Sequence, residues 1–426
     1  MRIFMHANTV ENQIRAIRNR VTSPVPQPTA FGRAMTARGI DWVIACLHPC
    51  TRWEYDRFYA DYPALKKKRY AEALERVLAK PVTKRIARIT AFVKPDKLSA
   101  ISKVDPDPRA IQFRDPEYCV LLASSLKPLE EQLYRMVLNH PCIKTRTRSV
   151  GKGLNQVERA QLLIRKQQSF ESPVVLSLDM SRFDKHVSES QLRQEHRVYL
   201  TLCKGNPHLR KLLTWQVYNE CSTTSGIRYT TTGRRMSGDM NTALGNCIIM
   251  IAMVVAMFEY LEIVGDILDD GDDCLVILEE TDLGHFQENA TRLCLEMGHE
   301  LKIENVARRL VDVEWCQSKP IHTSRGWKFV RNPIKVLNCS LINPKWLAYN
   351  RKQRLAHLAG LGKCELVLSS GVPVLWEFAR ALIRNSRGAD AQFDENCGTW
   401  ARVQREGKLY TRTGYEQEIS YEARKS

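Results

Sequence analysis

Residues 263–278 read IVGDILDDGDDCLVIL, two apolar runs on either side of an acidic turn that contains a glycine. An Asp-Gly step between apolar segments is a strong local signal for a tight β-hairpin, because glycine tolerates the positive φ that such turns demand. Well upstream, VVLSLD (174–179) is a short β-branched run ending on Asp179, and it reads as a further strand. Between the two, Cys247 to Phe258 is an unbroken apolar run of twelve residues. It falls short of the ~18–20 residues needed to cross a bilayer, so a buried helix is expected. Ser188 with Gln191 three residues later forms a capping box and marks another helix start. Strands alternating with helices, plus one hairpin, predict a mixed α+β centre.

The flanks differ from this centre. Residues 22–30 (TSPVPQPTA) form a Pro-rich linker that sets the N-terminus apart as an appendage. Residues 51–90 read mostly as helix: ALKKKRYAEALERVLA has apolar residues at helical spacing and a basic opposite face. From Ile89 to Arg114 prolines cut short apolar runs into an extended stretch with strand pieces. Helical period returns at 118–138 and 156–170, a helix is expected near 282–297, short strands near 310–337, and helices again after about residue 340. There is no internal repeat.

Composition bounds the class. The chain has 426 residues, 44% of them hydrophobic, enough to bury a sizeable core and to exclude wholesale disorder. The N-terminus shows no signal-peptide pattern, and the thirteen scattered cysteines include no CxxC pair, which suits a reducing compartment. A soluble, basic, intracellular globular protein is expected. The net charge of +17 is uneven: residues 1–150 hold 27 basic against 14 acidic side chains, whereas residues 151–350 hold 24 of each. A basic excess confined to the first third is the footprint of a polyanion-binding surface, for nucleic acid or an acidic membrane, although a plain solvated face gives the same count.

Three groups of residues carry chemistry. Asp179 ends a strand, Asp184 follows in LSLDMSRFDKHVS, and Asp272 and Asp273 follow the Asp270-Gly271 turn. Carboxylates at adjacent strand and hairpin ends can converge, and Mg²⁺ takes one or two of them while keeping water and phosphate in its shell. Two such ions clamp an in-line phosphoryl displacement. An acidic turn needs no metal, however, and a calcium EF-hand loop fails here because Leu268 and Ile277 stand where acidic ligands are required. The second group is SGDMNTALGN (237–246), preceded by Arg234 and Arg235. Ser237 and Gly238 would let the backbone pass close to a ligand, and Thr242 and Asn246 share a helical face able to hydrogen-bond a ribose; the plain alternative is a loop opening a buried helix. The third is Lys94, Lys97, Lys103, Arg109 and Arg114, charges that could line a phosphate channel or simply face solvent. Cys46, His48 and Cys50 lack the second pair a zinc finger needs, and Gly151-Lys152-Gly153 lacks the rest of a Walker loop and reads as a flexible joint.

Taken in order, these pieces resemble the RNA-dependent RNA polymerases of positive-strand plant viruses of the tombusvirus and carmovirus kind. LSLDMSRFDKHVS is similar to that family's motif A, SGDMNTALGNC to motif B and DDGDDCLVI to motif C. AFVKPDK and RAIQFRDPEYCVLLASSLKPLE resemble its basic motif F, KGLNQVERAQLLIRK a finger segment, and VEWCQSKP (313–320) motif E. The likeness spans roughly residues 50–340, with two departures: Asp270 where relatives often have Asn, and IQFR in place of IQPR.

The resemblance implies an α+β right hand: an N-terminal appendage and linker over 1–30, fingers over 31–171 and 201–235, palm over 172–200 and 236–340, and thumb over 341–426. It implies Asp179, Asp272 and Asp273 as catalytic metal ligands for two Mg²⁺ ions, with Mn²⁺ as a substitute. Asp184, Ser237, Gly238, Thr242 and Asn246 would select the ribose, Lys94, Arg109 and Arg114 would hold the triphosphate, and Lys302 would act as general acid. The implied partners are template and nascent RNA, nucleoside triphosphates and a membrane-targeting viral replication protein, with no role for DNA. The implied location is the host cytoplasm at membrane-associated replication complexes, with no transmembrane segment in this chain. Two other readings stay open: a reverse transcriptase on the same palm, and an inactive RNA-binding replication accessory.

Overall fold

Helix Thr242–Leu261 is the spine of the fold. It is apolar on every side, and its residues from Leu244 to Phe258 are all buried, as a helix without a polar face must be. It is long and apolar enough to cross a membrane by length and composition, yet here it lies inside the protein. The described residues of this computed structural model are 3–99, 105–323, 326–393 and 403. Helix Ala30–Ala45 crosses the spine at close range. A Cβ on Gly39 would stand 2.0 Å from the carbonyl oxygen of Ala252, so only glycine allows the two backbones this near.

Beside the spine lies a four-stranded antiparallel sheet in the order Leu301–Ala307, Pro173–Met180, Asp273–Glu279, Asp266–Asp269. The side-chain period of two divides it between two cores. Val174, Leu176 and Leu178 join the main core with the spine. Val175, Leu275 and Ile277 face the other way, towards Ala160 and Leu163 of helix Gln156–Gln167. The expected strand and hairpin are both present. Strand Leu301–Ala307 is an addition: LKIENVA interleaves charged residues, which suits the sheet edge it occupies but hides its strand pattern.

A second four-stranded sheet has the order Ala110–Phe113, Ile89–Val93, Tyr218–Thr223, Arg228–Thr232. The Pro-cut stretch therefore supplies two strands, and residues 201–235 supply helix Pro207–Val217 and the other two. The N-terminal residues are not a detached appendage. Helix Val10–Ile17 continues into a π-helical turn, Arg18–Thr22, and Ile17 and Val21 bury against Ala91 of this sheet. The prolines of the linker end that turn without freeing it, since Thr29 N–H then donates to the Glu296 carbonyl at 2.9 Å.

Hairpin Ser318–Thr323 and Gly326–Arg331 leads into helices Pro333–Cys339, Arg351–Leu368 and Leu375–Asn385. The helical C-terminal region expected after residue 340 is thus present as far as residue 393. Residues 394–402 and 404–426 of that region, and Lys103 of the basic stretch, lie outside the described residues.

Candidate active site

Asp179 and Asp273 are register partners on adjacent antiparallel strands, so their side chains leave the same face of the sheet. Lys302 opposes Asp179 from the other neighbouring strand. Asp272 precedes Asp273 on the hairpin turn, which is made possible by Gly271 at φ +98°. The turn is braced from behind. Gly271 N–H donates to Asp269 Oδ2 at 3.0 Å, and Gly151 N–H donates to the Asp269 carbonyl at 2.7 Å. Lys152 Nζ donates to the Asp270 carboxylate at 2.5 Å and to its carbonyl at 2.7 Å, while Arg159 pairs with the other carboxylate oxygen. Burial alone would raise the Asp270 carboxyl, but Arg159 and Lys152 outweigh it and hold it below its ordinary range. The glycine-flanked Lys152 is therefore a clamp and not a flexible joint. The same two cations account for an aspartate at position 270. Trp315, beneath the Arg159 guanidinium, donates its indole N–H to the Asp273 carbonyl at 3.1 Å.

The acidic tip crowds carboxylates together. Desolvation at the strand end, together with the charges of Asp272, Asp270 and Asp179, pushes the Asp273 carboxyl up to about 6. Among the described residues no three His, Cys, Asp or Glu side chains make a ready-built metal cage. An Mg²⁺ ion needs only one or two carboxylates beside water and phosphate, and crowded carboxylates on one sheet face fit that requirement.

A buried polar chain supports the second tier. Arg182, at φ +49°, turns the backbone into the short helix Phe183–His186, which carries Asp184. Asn246 Nδ2 donates to Asp184 Oδ1 at 3.0 Å, and Arg235 Nε donates to Asn246 Oδ1 at 3.0 Å. Arginine only donates, so it fixes which end of the Asn246 amide faces Asp184. Arg235 is itself paired with Glu195, both fully enclosed, and Glu195 Oε1 also receives Tyr199 Oη at 2.5 Å and Asn241 Nδ2 at 2.9 Å. Burial raises the Asp184 carboxyl, against the pull of Asn246 and Arg235. A Cβ on Gly245 would sit 2.3 Å from both Arg235 and Glu195, so the glycine makes room for the pair.

The loop before the spine is stitched to strand Ala110–Phe113. Gly238 N–H donates to the Gln112 carbonyl at 2.8 Å, where a Cβ would collide at 2.6 Å. Ser237 Oγ donates to the Ala110 carbonyl and accepts from Gln112 N–H, both at 3.2 Å, and Thr242 Oγ1 donates to the Met236 carbonyl at 2.7 Å. The hydroxyl protons expected at a ribose thus close the loop.

The basic residues divide. Arg109 is exposed and 3.6 Å from Asp96, which also holds Lys94 at 3.1 Å. Arg114, expected at the triphosphate, is turned inward at 2% exposure. It bonds Asp239 at 2.7 Å, Asn219 at 2.7 Å and the Ala87 carbonyl at 2.5 Å. Its forked donors are spent inside the protein, because Asp239 of the loop supplies a buried carboxylate opposite. Lys302 is exposed, with Nζ 3.3 Å from Glu304.

A polar cavity of about 250 Å³ brings together Arg109, Asp179, Asp184, Ser237 and Asp272. Lys94, Arg114, Thr242, Asn246, Asp273 and Lys302 do not line it. Sequence reasoning passed over the braces: Arg235 announced itself only as half of a basic pair, and Glu195 is one charged residue among several on a helix.

The family described as viral RNA dependent RNA polymerase matches residues 4–426. The chain is 33% identical over 439 residues to an RNA-directed RNA polymerase of Groundnut rosette virus (strain MC1), covering 99% of this chain and 50% of that protein. It is 35% identical over 400 residues to that of Tomato bushy stunt virus (strain Cherry), covering 88% and 47%. It is 32% identical over 400 residues to that of Turnip crinkle virus, covering 89% and 50%. The chain spans about half the length of these relatives. Motif order, the carboxylate cavity and this match over nearly the whole chain agree: the chain belongs to the viral RNA dependent RNA polymerase family.

Proposed function

We propose that this chain is the polymerase portion of a positive-strand RNA virus replicase, extending RNA on an RNA template by ribonucleotidyl transfer. The observation that carries this reading is the single cavity uniting Asp179, Asp272, Asp184 and Arg109. In the right hand that membership of the family implies, the Asp179 sheet and the spine are the palm (172–200 and 236–340). The second sheet and the basic first third are fingers (31–171 and 201–235), and residues 341–426 are the thumb. The reaction joins a primer 3′-oxygen to the nucleotide α-phosphate with release of pyrophosphate. Asp179 and Asp272, with Asp273 beside them, would hold the divalent cations, Mg²⁺ or Mn²⁺, which when bound activate the attacking oxygen and neutralise the leaving group. Asp184, which lines the cavity, presents an acceptor to the ribose 2′-hydroxyl, and Asn246, locked by Arg235, holds that carboxylate in place. Arg109 faces the phosphates, whereas Arg114 acts from a distance by holding Asp239. The partners on this reading are template and nascent RNA, nucleoside triphosphates, and a membrane-targeting viral protein that brings the chain to replication complexes in the host cytoplasm.

The test is labelled-nucleotide incorporation on an RNA template with and without Mg²⁺. Loss of a metal-binding carboxylate removes several kcal/mol of transition-state stabilisation, and each ~1.4 kcal/mol is tenfold in rate, so Asp272→Ala is expected to cut incorporation at least ~100-fold. RNA binding and folding should persist. Near-normal incorporation by Asp272→Ala or Asp179→Ala would remove these carboxylates from the chemistry.

A further inference from the structure

The N-terminal segment reaches the cavity. Arg20, from the π-helical turn Arg18–Thr22, lines it together with Arg109, Arg182 and Lys185. The segment is held there by specific contacts. Ile17 and Val21 anchor it on the second sheet. The Asn19 carbonyl receives Arg182 Nη1 at 2.8 Å, and Lys185 bonds Ser23 Oγ. Asp107 gathers the rest: its carboxylate accepts from Arg15 Nε at 3.2 Å, Asn19 Nδ2 at 2.9 Å and Arg182 Nη2 at 3.2 Å. One carboxylate thus ties the N-terminal turn to the basic loop and to the residues following Asp179.

Arg20 stands out within this arrangement. Asp107 spends its carboxylate on other donors, and among the described residues Arg20 makes one long hydrogen bond, 3.4 Å to the Asp107 carbonyl, and no ion pair. Half-buried beside Arg109 and Arg182, it is a cation desolvated among cations, and burial followed by those two charges pulls its pKa down. Asp107 and Asp96 offset these charges only in part, and guanidinium groups gathered on one wall favour a phosphate-rich anion, which arginine grips through forked hydrogen bonds. π-Helical turns also recur at functional sites.

We propose that Arg20 contacts the triphosphate of the incoming nucleotide and that the turn at Arg20 and Val21 forms a wall of the nucleotide site, with Asp107 as its positioning residue. This rests on the polymerase reading above. The phosphate could instead belong to the RNA backbone, and the experiment separates the two. Steady-state incorporation is compared for wild type, Arg20→Ala, Arg20→Lys and Arg18→Ala, the last an exposed neighbour outside the cavity, alongside RNA binding across a salt series. Loss of a charge-assisted contact is expected to raise the nucleotide KM about tenfold in Arg20→Ala, with a smaller change in kcat. Inhibition by inorganic pyrophosphate should weaken in the same proportion. Arg20→Lys should recover part of the loss, Arg18→Ala should match wild type, and the RNA salt slope should stay unchanged throughout. An unchanged KM in a folded Arg20→Ala, or a shallower RNA salt slope with normal KM, overturns the proposal while leaving the polymerase reading intact. A folded wild type that incorporates nothing overturns that reading and this one together.

Discussion

Asn246 shows how a single side chain is made specific. An amide presents a donor and an acceptor, and it discriminates only when its orientation is fixed. The guanidinium of Arg235 takes the oxygen, so the nitrogen must face Asp184. Sites built to bond a hydroxyl reject the analogue that lacks it, because the buried polar groups are then left unpaired. Wild type is therefore expected to favour ribonucleoside over deoxyribonucleoside triphosphates, and Asn246→Ala to narrow that preference by ~10-fold or more. Arg235→Lys retains a charge opposite Glu195 but gives up the second bond, so it should narrow the ratio in the same direction and by less. The measurement is the ratio of kcat/KM for the two sugars; a ratio unmoved in both variants would sever the chain from sugar choice. Asp184 and Asn246 could be picked out in the sequence because each sits inside a recognisable motif, LSLDMSRFDKHVS and SGDMNTALGN. Glu195 could not, since nothing local distinguishes a buried helical glutamate from an exposed one.

At the scale of elements, the hairpin, the Asp179 strand and the spine were legible from apolar pattern and turn chemistry. Edge strand Leu301–Ala307 was not, because its charged residues mask the alternation, and strands 218–223 and 228–232 gain their identity from pairing with a distant segment. Close helix packing is another property that only the structure reveals. Alanine in place of glycine in a helix interior gains roughly 0.5–1 kcal/mol of intrinsic propensity. At Gly39 a Cβ would meet the Ala252 backbone at 2.0 Å, and overpacking of this kind costs about 1–3 kcal/mol or more. The collision wins, so Gly39→Ala should lower the thermal midpoint. At Gly284, near the start of helix Leu283–Glu296, a Cβ would find nothing within 4 Å, so Gly284→Ala should leave the midpoint level or raise it. Thermal denaturation of the two variants side by side checks the opposite signs, and a midpoint unchanged in Gly39→Ala would mean the helices part without cost.

For the whole molecule, the basic excess of the first third points to a polyanion without saying which charges would meet it. The fold sends those charges to three different places. Arg20 and Arg109 line the cavity, Arg114 is buried as a structural pair, and Lys66, Lys67 and Lys68 lie on the outer face of helix Ala64–Ala79. That run is already partly engaged: Lys66 sits over the Tyr62 ring at 4.0 Å, Lys67 donates to the Ala60 carbonyl at 3.2 Å, and Lys68 is 4.0 Å from Glu72. Binding of a single RNA strand falls with salt by a slope of about 0.7 per phosphate neutralised. Three lysines tracking that strand would therefore remove about 2 from the slope when neutralised together, whereas a solvated helix face would remove almost nothing. Lys66→Gln, Lys67→Gln and Lys68→Gln combined are expected to leave the slope of log Kd against log salt nearly unchanged. Arg109→Ala should instead raise the nucleotide KM. A fall of about 2 in the slope with the lysines gone, and no change in nucleotide use with Arg109 gone, would move the polyanion path from the cavity to the outer helix.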